Sequence, residues 1–129
     1  MSAPALHELS ITQAGEQLRA GSLTSAALAQ DCLLRIAAID PKINAFITLT
    51  ADRAMNDARE ADASFARGVD RGPLQGIPYG LKDIYDTAGI RTTCHSKLRV
   101  DNVPTHDSAV EEKFRAVTGA LVDELGYTW

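Results

Sequence analysis

GVDRGPLQGIPYGLKDIYDTAG, residues 68–89, holds five of the chain's nine glycines and two of its five prolines. Clustered glycines raise the idea of a phosphate cradle. Neither G-x-G-x-x-G nor G-x-x-x-x-G-K-[ST] is present, and no clear helix pattern follows, so the stretch lacks the context a nucleotide loop requires. Turns and close backbone approach account for the glycines more simply. The unusual piece is PYGLKDIY, residues 78–85, which reads as a strand with alternating faces. Tyr79, Leu81, Asp83 and Tyr85 then share one face, and Gly80, Lys82 and Ile84 the other. Lys82 is expected beside a missing side chain and an aliphatic one, with Asp83 turned away and no local ion-pair partner. A lysine buried in this way favours its neutral form, and moving such a group from about 10.4 to near 7 costs roughly 4–5 kcal/mol. The use of a neutral lysine is as a base toward a hydroxyl nucleophile. The plain alternative is a lysine at a strand end reaching solvent, since lysines are almost never fully buried.

Outward from this stretch the composition divides. Sixteen of twenty alanines precede Gly68, and four of five prolines follow residue 40. Residues 1–67 are therefore expected to be mainly helical, and residues 68–129 to hold strands, turns and one late helix. Ser10 and Gln13 form a capping box, Ile11, Ala14 and Leu18 follow at helical spacing, and Gly21 supplies a left-handed stop. Thr24 caps a second helix with Leu28, Cys32, Ile36 and Ile39 on one face, expected to end at Asp40-Pro41. AFITLT, residues 45–50, is a short β-rich run. Residues 52–66 form a third helix burying Met55, Ala58, Ala61 and Phe65, closed by Gly68. Ser108 and Glu111 make a second capping box, with Val110, Phe114 and Val117 at helical spacing. Ala120-Leu121-Val122 reads as the start of a buried strand, barely begun before the chain stops.

At 129 residues and 13.8 kDa there is room for one domain at most. A compact monomer of this mass exposes roughly 6,600 Å² of about 20,000 Å² in the unfolded chain. A 45% hydrophobic and 23% charged composition is globular rather than disordered. A net charge of −4 gives no footprint for nucleic acid, which needs clustered positive charge. No apolar run is long enough for a membrane span, and residues 1–10 carry no secretion-signal pattern. Two cysteines, Cys32 and Cys94, read as free thiols of a reducing compartment. The expectation is a cytoplasmic protein.

Other candidate chemistry is sparse. His7, His95 and His106 are scattered, without the spacing of a metal site. Cys94 and His95 are adjacent, which in a strand sends them to opposite faces and spoils a thiolate–imidazole pair. Cys32 on an apolar helix face reads as a core residue. Asp52, Asp57, Glu60 and Asp62 with Arg53, Arg59 and Arg67 read as the solvated face of the third helix.

Residues 72–83 (GPLQGIPYGLKD), then Asp86-Thr87-Ala88-Gly89 and Thr92-Thr93-Cys94-His95-Ser96, resemble the lysine region of the amidase signature family. The resemblance reaches upstream through Ser22-Leu23-Thr24-Ser25 and residues 39–46 (IDPKINAF). Downstream it covers residues 103–110 (VPTHDSAV), and it runs to about Val122. It implies an α/β fold, the N-terminal portion of a mixed sheet wrapped by helices, truncated here. It also implies an amide hydrolase with a serine nucleophile, a second serine in a cis-peptide turn and a lysine base, acting on a small-molecule amide. The family lysine falls on Lys82, and no metal or organic cofactor is implied.

The family's glycine- and serine-rich signature has no counterpart in these 129 residues. Ser96 matches a family serine that is not the nucleophile, and residues 123–129 (DELGYTW) do not resemble the family. The expectation is a chain without its nucleophile and oxyanion donors, inactive alone and prone to self-association through unpaired strand edges. Two parent activities stay open: an amidase, or the glutaminase subunit of a tRNA-dependent amidotransferase. The rival reading is a non-catalytic helical association module.

Overall fold

The computed structural model describes residues 5–118 and the backbone of residues 121–125. Ala120 and the unfamiliar tail at residues 126–129 lie outside the described residues. The elements are α1 (Ile11–Ala20), α2 (Ser25–Ile43), β1 (Phe46–Leu49), α3 (Ala51–Ala66), β2 (Tyr79–Lys82), α4 (Ala109–Thr118) and β3 (Leu121–Leu125). Short 3₁₀ turns stand at Leu6–Glu8 and Lys97–Arg99.

The capping box at α1 forms as its residues dictate. The Gln13 N–H donates to Ser10 Oγ, and the Ser10 N–H donates to Gln13 Oε1. Gly21 closes the helix at φ +73°. Thr24 caps α2, but the end expected at Asp40-Pro41 is corrected: the helix passes through Pro41 and stops at Ile43. In the last turn a proline removes one backbone donor without breaking a long ladder. Asn44, left-handed at φ 49°, supplies the stop. The Asp40 carboxylate then accepts from the Ala45 and Phe46 N–H groups and sets the start of β1.

Alanines let α2 and α3 approach closely: Ala29, Ala54 and Ala58 are fully buried. The α3 face reads Ala54, Ala58, Ala61, with Met55 and Phe65 only half-buried. Leu18, Leu23, Leu28 and Ile77 form one cluster under α1 and α2, and Leu81 and Ile90 form another beneath β2. Gly76 sits where these helices meet the glycine-rich stretch. Its φ is +76°, and an added Cβ would come within 3.2 Å of Phe65 and Ser25. Close approach and left-handed geometry both exclude a side chain there.

The sheet has three strands in the order β1-β3-β2. β3 is therefore central, and it extends five residues rather than being barely begun. It runs antiparallel to β1 and parallel to β2, with Tyr79 opposite Leu121 and Lys82 opposite Leu125. The parallel pair needs a crossover, which residues 83–108 and α4 supply. The accessible surface is 7733 Å², above the roughly 6,600 Å² of a compact monomer of this mass. Among the described residues no helix is long and apolar enough to cross a membrane.

Candidate active site

β2 ends at Lys82. The alternation expected through Tyr85 is cut short, because the chain turns at Asp83: the Ile84 and Tyr85 N–H groups both donate to the Lys82 carbonyl, at 2.7 and 3.2 Å. Leu81 and Asp83 are buried, while Gly80, Lys82 and Ile84 are exposed. The expectation of a buried Lys82 is corrected for this chain. Lys82 is exposed, and it is engaged rather than free. It stands at the carboxyl end of a strand in a parallel pair, the edge where α/β sheets place their ligands.

The residue that organises this edge is Asp83, 3% exposed. Its carboxylate accepts from the Thr93 N–H at 2.7 Å and from the Thr93 hydroxyl, and its carbonyl accepts from the Cys94 N–H at 2.9 Å. Thr93 Oγ1 in turn accepts from the His95 N–H, and the Ser96 N–H donates to the Thr93 carbonyl. Cys94 and His95 adopt left-handed φ of 50° and 55°. They occupy a tight turn rather than a strand, and among the described residues no hydrogen bond joins their side chains. The turn after Lys82 is thus fastened to residues 92–96 by several hydrogen bonds. Further lacing joins the Gly89 N–H to the Pro104 carbonyl, Ala88 to Asp107, Ser108 to Asp86, and Thr92 to Asn102.

A second device fixes the other end of β2. Glu111 is fully buried; it accepts the Tyr79 hydroxyl at 2.7 Å and pairs with Arg53 of α3 at 3.0 Å. The Glu111 N–H is capped by Ser108 Oγ, but the Glu111 carboxylate is directed to Tyr79 and Arg53, so the capping box is only half made. Burial first, and then Glu111, push the Tyr79 phenol well above its ordinary range, so it stays a donor. Tyr79 also stacks on Phe114, ring centres 5.3 Å apart.

The α3 charges are likewise not all solvated. Arg53 is half-buried on Glu111, and Asp62 accepts from the Ser25 and Ala26 N–H groups, capping α2 from across the fold. Cys32 is half-buried rather than core, and burial pushes its thiol up, with Asp31 adding to the effect. His7, which the sequence left unassigned, bonds Asp31 through Nδ1 at 2.7 Å, while His95 and His106 lie on loops elsewhere. Among the described residues no group of three or more His, Cys, Asp or Glu side chains could hold a metal ion. Sequence reasoning missed Asp83 and Glu111. The signal for the first was a carboxylate on the apolar face of the Lys82 strand.

The amidase family model matches residues 27–122. The chain belongs to the amidase signature family. Among curated relatives it is 42% identical over 120 residues to a glutamyl-tRNA(Gln) amidotransferase subunit from Roseiflexus sp. (strain RS-1), covering 93% of this chain and 24% of that protein. The corresponding protein from Geotalea daltonii matches equally, at 42% over the same length. Among solved amidase structures, the native peptide amidase of Stenotrophomonas maltophilia superposes with a TM-score of 0.85 at 32% identity, covering 92% of this chain and 24% of that one. A fatty acid amide hydrolase shares the fold, with a TM-score of 0.89 at 21% identity over 98% of this chain. The chain spans about a quarter of the length of these amidase relatives.

Proposed function

We propose that this chain carries the lysine-bearing part of an amide hydrolase that converts a carboxamide to a carboxylate and ammonia, with Lys82 as the base. The observation that carries this reading is the placement of Lys82 at the carboxyl end of β2, its following turn fastened through Asp83 to Thr93, in a chain of the amidase family. By family resemblance, the neutral amine takes the proton of a bridging serine. That serine takes the nucleophile's proton as the nucleophile's oxygen bonds the carbonyl carbon. The proton returns along the same path to the leaving amine, and water releases the acid. The chain alone does not perform this reaction. It holds no glycine- and serine-rich signature, and a lysine base needs a covered face, where desolvation favours the neutral amine. The free thiols support a cytoplasmic setting.

The test places residues 27–122 into the Stenotrophomonas maltophilia peptide amidase in place of its matching quarter. The chimera is expected to release ammonia from a peptide carboxamide, while the 129-residue chain releases none. A folded chimera without hydrolysis, or hydrolysis by the chain alone that Lys82→Ala abolishes, overturns the reading.

The alternative, an association module, is favoured by one observation. The outer strands β1 and β2 each have one neighbour among the described residues, and Leu34, Ile43 and Leu98 are 61%, 59% and 97% exposed. Such edges and apolar side chains favour self-association. Sedimentation of the chain across a concentration series separates the readings, a concentration-independent monomer counting against this one.

A further inference from the structure

The chain reversal after Lys82 is already closed locally, since the Ile84 and Tyr85 N–H groups both donate to the Lys82 carbonyl, at 2.7 and 3.2 Å. Asp83 adds bonds that the reversal does not need. Its carboxylate takes the Thr93 N–H at 2.7 Å and the Thr93 hydroxyl, and its carbonyl takes the Cys94 N–H at 2.9 Å. The residue next to the lysine is thereby tied, by side chain and main chain together, to a segment ten residues further on.

This tie is stiff and it is costly. Thr93 Oγ1 accepts the His95 N–H at 3.1 Å, so its own proton is left to point at Asp83. Bonds to an ionised carboxylate are about twice as strong as neutral ones. Cys94 and His95, neither of them glycine, hold left-handed φ of 50° and 55° beside the donors of this loop. Sparsely populated backbone of this kind persists where its surroundings impose it, and it gathers where geometry serves a site. The other anchor of β2, Tyr79 on Glu111, lies three residues from Lys82, about 10 Å along a strand. Asp83 is thus the anchor adjoining the lysine itself.

We propose that Asp83 and Thr93 are positioning residues for Lys82, a role that rests on Lys82 being the base. The carboxylate, gripped by the Thr93 N–H and hydroxyl, fixes the turn from which the lysine side chain sets out, and so where its amine meets the bridging serine.

In the 129-residue chain, amide hydrogen exchange reads the turn directly. Thr93→Val keeps the side-chain shape and the N–H donor and removes the hydroxyl. The Ile84 and Tyr85 amides are expected to exchange about tenfold faster, the size of one lost hydrogen bond to a charged group. That acceleration should exceed the change at any amide of α3, and Thr93→Ser should reverse it. Equal acceleration in the turn and in α3 assigns Thr93 to the fold as a whole and overturns the proposal. In the chimera carrying residues 27–122, Thr93→Val is expected to lower kcat by about a hundredfold with KM unchanged, as a misplacement of about 1 Å does. Thr93→Ser should recover the rate. The loss has to pass through the lysine, so Thr93→Val added to Lys82→Ala is expected to cost nothing more. A parental kcat in Thr93→Val, a change in KM alone, or a further loss on top of Lys82→Ala overturns the proposal and leaves the base assignment standing. A Lys82→Ala chimera at the parental rate removes the base assignment, and the positioning role with it.

Discussion

Replacing Glu111 by alanine removes the centre of the polar network that holds β2 against α3 and α4. The Tyr79 hydroxyl loses its acceptor, Arg115 loses a contact at 3.7 Å, and Arg53, whose side chain is 20% exposed, keeps Asp57 at 3.6 Å among the described residues. Removing one partner of a buried ion pair costs about 3–5 kcal/mol. The remaining Asp57 contact and the partial exposure of Arg53 put the expected loss at the low end, about 3 kcal/mol. With a urea slope of about 1–3 kcal/mol per molar, the midpoint should fall by roughly 1–3 M. Glu111→Gln, which retains an acceptor for Tyr79, should lose about half as much. The assay is urea unfolding followed by circular dichroism, with Glu112→Ala as the control, since Glu112 is exposed on the same helix and surface changes stay within about 0.5 kcal/mol. If Glu111→Ala unfolds at the same urea concentration as Glu112→Ala, the network does not hold the fold together and the reasoning fails.

Thr93→Val removes the hydroxyl donor to Asp83 and the acceptor for the His95 N–H, leaving a buried carboxylate short of a partner. A loss of about 1–3 kcal/mol is expected in thermal unfolding, with Thr93→Ser retaining most of the stability. Gly76→Ala forces a side chain into left-handed geometry against Phe65 and Ser25, and should destabilise by more than the roughly 0.4–1 kcal/mol that the same change adds at an unstrained site, read as a lower urea midpoint. The hydrogen bond from Arg19, then that from the Gly72 N–H, hold Asp70 at about 2 against an ordinary 3.8. A depressed folded value means the contribution is present above the ordinary value and is lost as pH falls through about 2. Carbon-13 titration of Asp70 should show this, and Asp70→Asn should flatten that part of the acid unfolding curve.

Local rules read the helices well because the groups that decide them are near in sequence. Ser10 with Gln13, Gly21 and Thr24 each act within one turn, and their caps form as expected. Pro41 shows where a local rule stops: the proline falls in the last turn, where its missing donor costs little, and Asn44 sets the true end. The remaining differences come from partners far along the chain. Asp62 caps α2, and Glu111 abandons its own cap for Tyr79 and Arg53. Side-chain alternation set Asp83 and Lys82 on opposite faces, but the face expected to be buried was that of Lys82, and it could not say that Thr93 would receive Asp83. It also could not give the exposure of Lys82, because alternation assigns a face and not what covers it. Family resemblance pointed to Lys82 through the motif around it, and hydrogen bonds bring the separated motif blocks of residues 83–108 together in space.

The most direct test of the account is the rate of carboxamide hydrolysis by the chimera carrying residues 27–122, compared with its Lys82→Ala form. A positioned base contributes about 10²–10⁴-fold, so kcat should fall by that factor while circular dichroism and the unfolding midpoint stay unchanged. A Lys82→Ala chimera that hydrolyses the substrate at the parental rate would contradict the assignment of Lys82 as the base.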